Sequence, residues 1–182
     1  MVRRVGLTLV VAIAIVGGLI ALRTPAVTGA LQASPVAASP VATGDGSRTN
    51  PAQMGQSVRL SGMTVTLLAA EVVPPGTYLV DPDPGMAYLA LDVRIDNANP
   101  DPISYGPDHF DAKDIDQGYE FTNTAGSMFA DLRLNSGELA VGDFVRGMVV
   151  IDIKADSRRL LVRFTTEPYG EGLEGFWLVT LS

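Results

Sequence analysis

Between Tyr88 and Asn97 apolar and polar side chains alternate without a break. Leu89, Leu91, Val93 and Ile95 fall on one face, and Tyr88, Ala90, Asp92, Arg94 and Asp96 on the other. A period of two belongs to a half-buried β-strand. The run stops at Asn97, ahead of an Asn-Pro-Asp-Pro turn from Asn99 to Pro102. The pattern recurs downstream, where Val145, Val149, Ile151 and Ile153 alternate with Arg146, Asp152 and Lys154, and Leu160, Val162 and Phe164 with Leu161, Arg163 and Thr165. Short alternations separated by Gly, Pro, Asn and Asp predict strands over residues 56–60, 63–73, 86–97, 110–114, 128–134, 143–154, 160–165 and 176–181. No window sustains a helical period. The chain therefore reads as all-β, two antiparallel sheets packed as a sandwich with Greek-key connections.

Ahead of the strands the pattern changes. Met-Val-Arg-Arg opens the chain, and Val5 to Leu22 carries no charge. A basic start before an apolar run directs export. This run exceeds the about 7–15 residues of a cleavable signal core and approaches the about 17–25 that span a bilayer. Residues 1–30 thus read either as a signal peptide, cleaved after Thr28-Gly29-Ala30, or as an anchor with Arg3 and Arg4 held inside. Membrane contact is expected only through Val5 to Leu22, if it stays uncleaved. Residues 31–54 are rich in Ala, Ser and Pro and repeat Ala-Ser-Pro-Val-Ala at 33–37 and 38–42. Such a segment buries too little to offset ordering, so an extended, mobile tether is expected, with the folded domain over 55–182.

Charge narrows the partners. The formal net charge is -7, and from residue 51 onward 9 basic residues face 19 acidic ones. That balance repels nucleic acid and anionic membrane surfaces. Arg158, Arg159 and Arg163 form the only local basic group and are expected on a solvated strand edge. The absence of cysteine removes disulfides, thiolate catalysis, cysteine zinc sites and a lipid-modified cysteine.

The order of these features resembles a bacterial extracytoplasmic immunoglobulin-like family, called telokin-like, found on secreted antigens and lipoproteins. The likeness covers about residues 55–182. It rests on Gly55-Gln56-Ser57-Val58 opening the first strand and on the central strand ending at Asn97. Residues 110–114 with the turn Asp116-Gln117-Gly118-Tyr119 follow, and Leu139-Ala140-Val141-Gly142 then precedes Arg146-Gly147-Met148-Val149-Val150. The resemblance implies an immunoglobulin-like sandwich outside the cytoplasm. It supplies no catalytic motif to carry over, and this chain lacks the cysteine that lipoprotein members acylate.

Candidate chemistry is sparse. Gly170 to Gly175 fits G-x-G-x-x-G, but Pro168-Tyr169 precede it and a strand rather than a helix follows, so a hairpin connection is expected. His109, the single histidine, could pair with Ser104, Ser127 or Ser136, yet none of these lies in a nucleophile elbow and a turn histidine is the stronger reading. Asp114, Asp116 and Glu120, near Asp108 and Asp111, are the calcium candidates, although the closing ligands of a complete loop are missing. Asp81 and Asp83 in a long loop, with Tyr169 and Trp177, are the candidate binding surface. Phe176 is expected in the core, and Trp177 divides evenly between core and interface. No catalytic residue and no cofactor is expected. The favoured function is a noncatalytic binding or adhesion module at the cell envelope, recognising an envelope protein or ligand through its loops. A structural envelope domain or a calcium-stabilised module is the alternative, and an enzyme of unrecognised type comes last.

Overall fold

The computed structural model describes residues 44–123 and 132–181. Val5 to Leu22, the doubled pentapeptide, Ser127 and the start of the strand predicted over 128–134 lie outside them. Among the described residues no helix is long and apolar enough to cross a membrane. Ten strands are described: β1 (Ser57–Leu60), β2 (Met63–Val72), β3 (Met86–Asn97), β4 (Ile103–Tyr105), β5 (Phe110–Asp114), β6 (Glu120–Thr122), β7 (Gly137–Leu139), β8 (Phe144–Lys154), β9 (Arg159–Thr165) and β10 (Glu174–Thr180), with a 3-10 turn at Pro107–His109. One sheet runs β1-β2-β3-β8, the facing sheet β10-β9-β5-β6, and β4 pairs with β7 beside them. All these strand pairs are antiparallel.

The alternation read along β3 becomes the core directly. Leu89, Leu91, Val93 and Ile95 are fully buried with Val149 and Ile151 of β8, and Leu160, Val162 and Phe164 of β9 belong to the same cluster. Each such side chain contributes about 1.5–3 kcal/mol by leaving water. Trp177 is the largest fully buried side chain, and its indole N–H donates to the Gln56 carbonyl at 2.9 Å. Its place on the candidate binding surface is therefore corrected: β10 turns Trp177 inward. Phe176 faces the other way and is absent from that central cluster, its ring covered by the Arg48 guanidinium at 4.9 Å.

Three further expectations change. The outer face of β3 is not polar throughout, because Tyr88 and Ala90 join Val73 and Val150 in a second buried cluster. Tyr78, from the loop after β2, packs on this cluster with its ring 5.8 Å from Tyr88. Residues 44–54, read as tether, dock on the sandwich. Phe176 N–H donates to the Gly46 carbonyl, Ala52 N–H to Phe176, and Leu178 N–H to Ala52, whose side chain is buried. Proline and small residues mark low burial, but a strand edge with free backbone groups captures them. The arginines do not form a sheet edge either, since β9 runs between β10 and β5. Arg163 is held by Asp111 and by Glu174 (2.7 Å), and Arg159 by Asp116 (2.9 Å).

Candidate functional site

The two ends of the sandwich are built differently. Asn97 closes β3 at one of them. It is buried, and its side-chain amide donates to the carbonyls of Leu139 (2.9 Å), Asp101 (3.0 Å) and Ala140 (3.2 Å), while its Oδ1 accepts from Asn99 N–H (2.8 Å). One side chain thus ties the loop after β3 to the turn before β8. The β1–β2 connection is a two-residue hairpin in which Ser61 (φ 46) and Gly62 (φ 85) are both left-handed, the signature of a type I′ turn. From the facing sheet come the 3-10 turn before β5 and the β9–β10 loop. The Thr166 hydroxyl accepts Leu173 N–H at 3.0 Å and so shapes that loop.

These loops enclose an open cleft of about 590 Å³, within the range of small-ligand sites. Ser61, Asn99, Ser104, His109, Thr166 and Glu167 supply its polar lining. His109 is buried beside Phe164, stacked with ring centroids 5.6 Å apart. Its Nδ1 lies 2.8 Å from the Thr165 carbonyl, so Nδ1 carries the proton, because a carbonyl only accepts. Among the described residues no hydrogen bond joins His109 to a serine, and Asp108 instead accepts from the Tyr169 hydroxyl at 3.0 Å. That bond, with the carboxylate's charge, pushes the Tyr169 phenol above its ordinary range. Pro168 lines both the cleft and an adjoining groove of about 260 Å³ that holds Asp108 and Tyr169.

At the opposite end lie the other predicted site residues. Asp81 and Asp83 are exposed, and Asp81 accepts Gly76 N–H at 2.7 Å, shaping its own loop. Asp114 is buried, and its Oδ1 accepts Asp116 and Gln117 N–H at 2.9 Å each. Burial pushes the Asp114 carboxyl up. The Ser157 hydroxyl, the Gln117 and Asp116 N–H groups and Arg159 pull it down and prevail. Asp116 pairs with Arg159, and Glu120 with Lys113 (2.8 Å). Among the described residues no group of three or more metal-ligating side chains converges. The structure therefore does not bring the Asp81 loop to Tyr169: the register of β3 sends residues 81–85 and 98–102 to opposite ends. Sequence reading placed Asn99 in the turn after β3 and passed over Ser61 and Thr166. The adjoining strand predictions did leave a two-residue gap at Ser61-Gly62, which is a hairpin signal.

The outer face of β10-β9-β5-β6 carries charge already paired within the molecule. Arg163 joins Asp111 and Glu174, Glu174 also meets Arg48 (3.7 Å), and Lys113 meets Glu120. These pairs are mostly a third or more exposed, so solvent screening leaves them little net stabilisation.

Comparison with known proteins agrees with this architecture. No curated protein sequence matches the chain. Among solved structures, it is similar to ycdA of Bacillus subtilis, assigned as a lipoprotein, with 14% identity and a TM-score of 0.56 over 70% of this chain. The matched part spans 39% of ycdA. It is similar to the secreted protein MPT63 of Mycobacterium tuberculosis, with 12% identity and a TM-score of 0.51 over 71% of this chain and 95% of that one. It also resembles the yjhA protein of Bacillus subtilis, with 17% identity and a TM-score of 0.50 over 71% and 98% of the two chains. At these identities the likeness is one of fold. The family model for a domain of unknown function designated DUF4352 matches residues 52–174, from the docked Ala52 to the first residue of β10, and the chain belongs to that family.

Proposed function

We propose that this protein is a noncatalytic binding domain displayed outside the cytoplasmic membrane, and that it engages its ligand through the cleft at the Asn97 end of the sandwich. The cleft itself carries the proposal. Loops from both sheets converge there on an opening of about 590 Å³, and one buried asparagine fastens the cleft-lining loop after β3 to the turn before β8. Export is supported by Met-Val-Arg-Arg before the apolar run, and by fold neighbours that include a secreted protein and one assigned as a lipoprotein. A noncatalytic role is supported by Asp108, which accepts from Tyr169 and not from His109, and by the lack, among the described residues, of any serine hydrogen-bonded to His109.

The test is retention of the purified full chain by the insoluble envelope fraction of its own cells, compared with a Ser104→Trp variant that fills the cleft. The expected result is retention of the parent chain and loss with the variant. Equal retention of both would move the binding surface elsewhere. A second experiment addresses activity. Turnover by the parent chain of any substrate in a broad hydrolase panel, abolished by His109→Ala in a folded variant, would overturn the noncatalytic reading.

A further inference from the structure

Building on the proposed binding role, we infer that the cleft accepts an uncharged polyhydroxylated ligand, a short neutral glycan chain, with the Tyr169 ring as its platform. Charge is the first argument. Among the described residues no lysine or arginine lines the cleft and Glu167 is its one carboxylate, while the one cation of the adjoining groove, Arg163, is already paired with Asp111 and Glu174. A phosphate, an anionic lipid headgroup or an acidic peptide would meet Glu167 with no cation to offset it, on a domain that is already acidic. A basic peptide fits no better, because complementarity to several cations needs several free carboxylates, and in the adjoining groove Asp111 is taken by Arg163 and Asp108 by the Tyr169 hydroxyl.

The mixture of groups is the second argument. The Ser61, Asn99 and Ser104 side chains line the cleft and form no hydrogen bond to other described residues, so their donors and acceptors are available. Pro102 and Pro168 present apolar ring surfaces among them. A sugar ring has the same two characters, hydroxyl edges and C–H faces, and recognition sites of this kind combine an apolar lining with a few placed polar groups.

Tyr169 is the third. Its side chain is 89% exposed, yet its hydroxyl is fastened to Asp108 at 3.0 Å, so the ring is oriented without being covered. Fastening an aromatic platform before the ligand arrives removes part of the ordering cost of binding. Because Pro168 lines both the cleft and the groove holding Tyr169, a ligand of several units can cross from one to the other.

Isothermal titration and saturation-transfer NMR of the full chain test this with neutral hexasaccharides of glucose, mannose and N-acetylglucosamine. Inorganic phosphate and a hexalysine peptide serve as the charged probes. At least one hexasaccharide is expected to bind, about tenfold more weakly in Tyr169→Ala, a loss of about 1.4 kcal/mol. Tyr169→Phe keeps the ring and loses the fastening, so a smaller loss of about threefold is expected, and Ser104→Trp should abolish binding. Absence of all three glycans at about 10 mM, preference for a charged probe, or indifference to Tyr169→Ala would each overturn the inference. If every glycan failed while envelope retention still depended on Ser104, the ligand class would fall and the binding role would stand. If Ser104→Trp altered neither measurement, both the ligand class and the cleft as the binding surface would fall.

Discussion

Replacing Asn97 isolates the network that holds the cleft end together. The side chain is 2% exposed, and its amide faces three carbonyl oxygens at 2.9–3.2 Å while its own oxygen accepts a backbone N–H at 2.8 Å. Asn97→Ala removes two donors and one acceptor. At about 1 kcal/mol net for each of these three groups, it should cost about 3 kcal/mol. Asn97→Asp keeps the shape and reverses the chemistry, because an ionised carboxylate only accepts and would point at carbonyls. An uncompensated buried charge costs about 3–5 kcal/mol, so near pH 7 the aspartate should be the worse variant. At about pH 3 the protonated acid recovers one donor, and the order should invert.

The pH direction follows from linkage. Facing carbonyls, the introduced acid titrates higher in the folded than in the unfolded chain, where its pKa is about 3.9. The folded state then binds more protons, so the variant's stability relative to wild type is greatest below about pH 4 and declines as pH rises through the folded value. The difference between Asn97→Ala and wild type should stay flat, since neither residue titrates. Urea unfolding followed by the fluorescence of Trp177, the only tryptophan, reads this directly. With a slope of about 1–3 kcal/mol per molar urea, a 3 kcal/mol loss moves the midpoint by at least about 1 M. An Asn97→Asp protein as stable as wild type at pH 7, or equally unstable at pH 3 and 7, would refute the reasoning.

Gly147→Ala should cost about 1–3 kcal/mol and leave m unchanged, because a Cβ there would stand 2.7 Å from the Leu134 backbone where residues 132–134 pair alongside β8. Trp177→Phe should cost about 2 kcal/mol by circular dichroism melting, since it opens a void in the core and orphans the Gln56 carbonyl. Asp114 titrates below its ordinary value, so its stabilisation is present at neutral pH and lost as pH falls below about 4. Asp114→Asn should therefore flatten the acid limb of the stability curve, and an unchanged limb would remove Asp114 as its source. Ala52→Glu, which places a charge in a buried site, should free the docked segment and accelerate amide exchange at Phe176 and Leu178 by at least about tenfold.

How much of this was legible in the chain depends on which contacts are local. β3 and β5 were predicted to the residue and β8 to within one, because apolar residues alternating with charged ones are read within a single strand. The three-residue strands β4, β6 and β7 carry too few positions to show a period and exist because a longer strand or each other supplies their partners. The loops after β3 and in the β9–β10 connection were visible as turn chemistry. Their union in one cleft was not, because it needs the register of both sheets.

The sequence by itself determined an all-β chain, the inward set of β3, the acidic surface and the absence of cysteine chemistry, since each depends on composition or on neighbours two residues apart. Tertiary structure alone decided that Trp177 faces inward while Phe176 is covered by Arg48, and that residues 44–54 seal β10. It also decided that Asn97 reaches carbonyls 42 and 43 residues away, and that Tyr169 stands at the opposite end from Asp81. The physical reason is shared by all of these. An alternating pattern shows the inward face where one side is apolar and the other charged, but how two aromatic neighbours such as Phe176 and Trp177 divide between the faces, and which loops meet, is settled only when a second sheet packs against the first.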